Sequence, residues 1–164
     1  MPTYSTKIET PSPGLAGSLE AFTFESPEIG PDHPVTLIRT DQKWGITVNW
    51  ELDGPNAAIV NGEFRVRAFL ERMGVGTDLA LPMNAPKPYL TVNAYSNWTA
   101  DPHDPNMHLY HVDISAPDTV PFVPPGVYKI TTLVQLYTGQ EPLGTPMAVA
   151  GFVELPMIEI YAPS

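Results

Sequence analysis

Cysteine is absent from the 164 residues, so no disulfide, thiol nucleophile or thiolate metal site is available to this chain. Charge is scarce: 16% of residues carry it, against about 25% in an average domain. What charge there is runs negative, with 8 Lys and Arg against 18 Asp and Glu and a net −10. No basic residue follows Lys129, while Glu141, Glu154 and Glu159 do. Nucleic acid is therefore not an expected partner, because it needs clustered cations to displace its counterions. An anionic membrane surface is disfavoured on the same ground. No apolar run reaches the ~18 residues of a membrane span, and "MPTYSTKIETPSPG" has no signal-peptide core. The expectation is no membrane insertion and a cytoplasmic location, with secretion by another route left open.

Helical periodicity is also lacking: no segment sustains apolar residues at i, i+3, i+4 and i+7 over three turns. Nor is there a Gly-x-Ser-x-Gly nucleophile elbow. "GVGTD" lacks the Lys and Ser/Thr of a phosphate-binding loop, and no helix follows it. With these motifs missing, no enzyme and no cofactor are expected.

Present instead are 43% hydrophobic residues and 20 prolines, where proline usually makes up ~5%. One domain of this length buries about 70% of its unfolded surface. The prolines must sit at loops, strand starts and edges, since each removes a backbone donor. Residues 1–18, rich in Pro, Ser, Thr and Gly, read as an extended arm that packs on a neighbouring subunit or along its own sheet. From Leu19 to Ser164 the signal is alternation with period two. In "WGITVNWEL" Trp44, Ile46, Val48, Trp50 and Leu52 share one face. In "EFRVRAFLER" Phe64, Val66, Ala68 and Leu70 do. "LEAFTFE", "VTLIRT", "YLTVNAY", "MHLYHVDIS", "GVYKITTLVQLYTG" and "MAVAGFVELPMIEIYA" complete an all-β domain of seven to nine strands.

In "PPGVYKITTLVQL", Gly126-Val127-Tyr128 enters a long strand, and Trp50 faces inward on an earlier one. These features resemble immunoglobulin-like antiparallel β-sandwiches, in which a corner tyrosine bonds back to upstream backbone. The resemblance implies that fold, with Tyr128 in the corner role. It carries no activity, because the paired cysteines of antibody domains are missing and sandwich folds host unrelated tasks.

Thr99 to Asp113, "TADPHDPNMHLYHVD", holds three of the four histidines. Strand geometry separates them: His108, Tyr110, Val112 and Ile114 take one face, Leu109, His111 and Asp113 the other. His108 falls at the strand's mouth. His111 and Asp113 could supply two ligands to a divalent ion, with no third in view. Asp101 and Asp104 are oxygen donors of the kind calcium prefers. An EF-hand frame from Asp101 fails, since Asn106 replaces its glycine and Val112 its glutamate. Tyr95 and Trp98 are candidates for stacking on a sugar ring. The C-terminal run is apolar on both faces in places, and Pro156 breaks its ladder as at an edge or bulge. The leading expectation is a non-catalytic structural or protein-interaction module with a protein partner or a homo-oligomer, self-associating through edge strands and the arm. The alternative is a carbohydrate- or small-ligand-binding sandwich, assisted by calcium.

Overall fold

The computed structural model describes residues 4–11, 14–25, 36–83, 85–117, 123–138 and 144–163. In chain order the strands are β1 (Tyr4–Lys7), β2 (Ala16–Glu25), β3 (Leu37–Arg39), β4 (Trp44–Asp53), β5 (Glu63–Arg72) and β6 (Leu79–Leu81). They continue with β7 (Leu90–Asn93), β8 (Thr99–Ala100), β9 (His108–Ser115), β10 (Gly126–Thr138), β11 (Thr145–Glu154) and β12 (Ile158–Tyr161). Among the described residues the only helical element is one 3₁₀ turn, Ala57–Ile59. No described helix is long and apolar enough to cross a membrane.

The strands form two sheets. Five run in the order β1–β2–β4–β9–β8. The other seven follow β3–β12–β10–β5–β6, with β11 also on β10 and β7 also on β5. All pairings are antiparallel except β12 with β3. Between the sheets lies a single apolar core, filled as alternation dictates. β4 turns Trp44, Ile46, Val48, Trp50 and Leu52 inward, none more than 2% exposed, and β5 buries Phe64, Val66, Ala68 and Leu70. Trp50 stacks on Tyr110 with ring centroids 5.5 Å apart, and Phe64 meets both rings edge-on at 5.3 and 4.9 Å. Such aromatic pairs add about 0.5–1.5 kcal/mol each beyond the area they bury. The Tyr110 hydroxyl donates to the Ala94 carbonyl, and burial pushes its pKa up to about 12.

The N-terminal stretch expected as an arm lies along the chain's own sheets. β1 pairs with β2, and Ile8 and Leu15 are buried. At Glu9 the chain crosses to the second sheet, its amide donating to Ala150 at 2.8 Å and its carbonyl accepting from Ala150 at 3.2 Å. Ile8 makes this crossing possible by packing where Gly151 has no side chain; a Cβ there would come 3.2 Å from Ile8 Cγ1. The apolar β11 edge is thus bridged by its own chain, which blunts strand addition at that point. β11 and β12 are one run along the same edge of β10. Leu155 still donates to Ile130 at 2.9 Å. Pro156 has no N–H to continue the ladder, which resumes at Ile158.

Candidate functional site

At the 95–113 end, the candidate ligands hold their own loop. Asp101 Oδ1 accepts from the amides of His103 (2.7 Å) and Asp104 (3.2 Å), and Asp104 Oδ1 accepts from Asn106 (3.0 Å). These are Asx turns, in which a carboxylate takes the place of a turn carbonyl. Trp98 Nε1 donates to the Tyr95 carbonyl at 2.7 Å, and the Trp98 ring lies flat on His108, centroids 3.6 Å apart and 4° from parallel. One face of Trp98 is therefore occupied, while Tyr95 stands 64% exposed. His108 sits beneath Trp98 at 4% exposure. Its Nδ1 has no hydrogen-bond partner among the described residues, and burial lowers its pKa from the ordinary histidine value.

His111 and Asp113 do face outward together, with Nε2 3.3 Å from Asp113 Oδ1. The pleat keeps them apart from His108 as its period requires. Their other neighbours are neutral: His111 Nδ1 lies 2.6 Å from Asn49 Oδ1, and Thr47 donates to Asp113 at 2.8 Å. Among the described residues no three His, Asp or Glu side chains gather as a metal-holding group. Asp101 and Asp104 thus do not join His111 and Asp113 in one set.

The contacts of His111 belong to a longer ladder across the outer face of the five-stranded sheet. Asn49 Nδ2 donates to Glu20 at 3.2 Å. A carboxylate only accepts, so Glu20 fixes the amide with its oxygen toward His111, whose Nδ1 must then donate. Beside this row Ser18 donates to Glu51 at 2.9 Å. The side chains border a groove of about 330 Å³, walled by Glu20, Asn49, Glu51, Leu109 and His111, with Ser5 and Thr99 at its ends. No Lys or Arg is among the described residues that line it.

The outer face of the seven-stranded sheet differs, mixing Arg65, Arg67 and Lys129 with Glu63, Glu71, Glu154 and Glu159. Arg65 is held between Tyr137 and Tyr89, its guanidinium carbon 4.0 and 4.7 Å from the two ring centroids, and Glu63 lies 3.5 Å away. Arg67 stands over Phe69 at 5.1 Å, with no carboxylate in ion-pair reach among the described residues. Its cross-strand neighbour is Leu133, which in turn faces Phe152. Phe69 is 41% and Phe152 59% exposed. A small hollow of about 70 Å³ between Arg65, Arg67, Tyr89 and Tyr137 has no Asp or Glu among its described lining. Leu37, Val127 and Tyr161 extend the exposed apolar character along the same face. Arginine over aromatic rings, with an exposed Phe152 beside them, is a composition enriched in protein-binding patches.

Comparison with family models, with curated proteins and with solved structures gives no match for this chain. The surfaces therefore stand on their own chemistry. Sequence reasoning passes over Glu20, Asn49, Glu51, Arg65 and Arg67. Alternation already sends them outward, but only strand order tells which of them meet.

Proposed function

We propose that this chain is a non-catalytic structural or protein-interaction module, built as an immunoglobulin-like sandwich and self-associating through the outer face of its seven-stranded sheet. The observation that carries this reading is the Arg67–Phe69–Leu133–Phe152 patch, where Phe69 and Phe152 stand exposed, and Leu133 half-buried, around an arginine with no acidic partner among the described residues. Exposed apolar side chains grouped on one face support an interaction surface there. The immunoglobulin-like assignment is supported by strand order, with β2–β4–β9 in one sheet and β5–β10–β11 in the other. It is also supported by Tyr128, whose hydroxyl donates to Pro124, four residues upstream, at 2.7 Å, as a corner tyrosine does. One departure is that Trp50 stands on β4, while in antibody domains the core tryptophan lies on the strand corresponding to β5. Phe64 on β5 fills the facing position.

The non-catalytic part rests on occupancy: both ring nitrogens of His111 have neighbours in the ladder, and no serine or threonine hydroxyl is among them. The alternative, sugar or calcium binding at the 95–113 end, has less support. Trp98 has one face on His108, and the Asp101 and Asp104 carboxylates accept from their own loop.

Light scattering over a dilution series tests the reading. The wild-type mass is expected to rise above 17.9 kDa with concentration, while Phe69→Ser with Phe152→Ser stays at the single-chain mass without loss of thermal stability. A wild-type mass that stays single-chain up to millimolar protein would sink self-association.

A further inference from the structure

The patch on the seven-stranded sheet needs a complementary surface, and the chain itself carries one on its opposite side. We infer that copies of this chain associate heterologously, the arginine–aromatic face of one docking onto the acidic groove of the five-stranded sheet of the next. This inference rests on the reading above and names the partner surface. The groove presents Glu20 and Glu51 with no Lys or Arg in its described lining, and the hollow beside Arg67 has no acid in its own. Each groove carboxylate receives one hydrogen bond from its own sheet, from Asn49 Nδ2 and Ser18 Oγ respectively. A carboxylate has about four lone-pair sites, so both retain acceptor capacity for a guanidinium. Arg67, without an acidic partner among the described residues, brings one. Leu109 in the groove wall offers apolar contact to Phe69 or Phe152.

Pairing groove on groove is opposed by charge, since it would bring Glu20 and Glu51 toward their copies in a chain that already carries a net −10, and like-charge juxtaposition is costly at an interface. The Arg67 face also carries Glu71, Glu154 and Glu159 beside Lys129, so what favours the unlike pairing is local: the groove has two carboxylates and no cation in its described lining, and Arg67 supplies one. Strands of 4, 10, 10, 8 and 2 residues at ~3.4 Å rise and ~4.8 Å spacing give a flat face of roughly 550 Å², below the ~800 Å² per partner of a standard interface, which fits a concentration-dependent contact. Because the two faces lie on opposite sides of a two-layer fold, the contact does not close on itself. It propagates as an open stack, each copy adding two sheet spacings of ~10 Å.

Two variants and their mixture test this. Glu20→Lys with Glu51→Lys disables the groove, and Arg67→Ala with Phe152→Ser disables the face. Each is expected to remain at 17.9 kDa by sedimentation where the wild type forms multiples of it. Mixed, they should give a particle of two chains and no more, because one variant retains a sound face and the other a sound groove. Near-ultraviolet circular dichroism confirms that each is folded. Glu20→Gln with Glu51→Gln, which keeps the groove's shape, should weaken association about tenfold or more if the carboxylates take part. A groove variant that assembles like wild type, or a mixture that stays single-chain, overturns the heterologous contact. In that case the module reading survives, and the groove is free for another occupant. A wild type that never associates overturns both.

Discussion

The two outer faces of this sandwich obey one rule and end in different chemistry. On the five-stranded sheet, outward side chains are tied to one another: Glu20 to Asn49, Asn49 to His111, Ser18 to Glu51, with Asp113 3.3 Å from His111 Nε2. Even an outward ring is put away there, for Phe24 lies across Gly45, where a Cβ would come within 2.7 Å of it. On the seven-stranded sheet, Phe152 stands exposed, Phe69 is 41% exposed beneath Arg67, and Arg67 has no acidic partner among the described residues. None of the exposed large apolar side chains among the described residues lies on a strand of the five-stranded sheet. Inward positions must be apolar for the fold to exist, whereas outward ones are under no such demand. The difference between the faces is therefore not one that folding alone requires.

The comparison breaks most completely if the shared core is removed. Trp50 touches Tyr110 in its own sheet and Phe64 in the other. Trp50→Ala should cost about 3–5 kcal/mol, read by urea denaturation, and both faces should be lost in one transition. Two separate transitions would mean that the sheets are not one cooperative unit. A smaller break is confined to the seven-stranded sheet. Tyr128→Phe deletes the hydrogen bond to Pro124 and should cost about 0.5–1.5 kcal/mol, with the mass in solution the same as that of the wild type. A much larger loss would make this corner a structural keystone rather than one bond.

Acid sharpens the comparison from the other side. His108, buried under Trp98, has its pKa lowered in the native state by desolvation, while the unfolded chain titrates near ~6.5. The native state therefore binds this proton less readily than the unfolded one. Its stabilising contribution is whole above the unfolded value and is lost as pH falls through the native one. Melting temperature should drop below about pH 6.5, and His108→Phe should flatten that drop. An unchanged pH profile in the variant would assign the acid sensitivity to other groups.

Much of this is legible in the sequence, and the part that is not has a physical cause. Alternation yields the inward sets of β4, β5 and β9, because side-chain direction is a local property of the pleat. It also sends His108 and His111 to opposite faces, which by itself excludes a three-histidine site. Strand order is not local. That Asn49 sits between Glu20 and His111 depends on β2 and β9 flanking β4, and nothing in "WGITVNWEL" names its neighbours. The destination of the arm is hidden for a related reason. Its polar composition is visible, but Ile8 packs against glycines 17 and 151, one of them more than a hundred residues away. The stack of Trp98 on His108 is hidden in the same way, since a loop residue's partner is set by where the loop folds back.

The smallest expected effect bears most directly on the contrast between the faces. His111→Ala removes the centre of the ladder, breaking the contacts to Asn49 and Asp113. The His111 and Asp113 side chains are 57% and 45% exposed, so water replaces what is lost, and exposed pairs of this kind contribute little. Stability should change by no more than ~0.5 kcal/mol, measured by urea denaturation. A loss above about 1.5 kcal/mol, the upper range for one hydrogen bond, would show that the ladder is built for folding. The five-stranded face would then need no partner to explain its order. A loss within the small range leaves that order unexplained by stability, and shifts its explanation to whatever the groove receives.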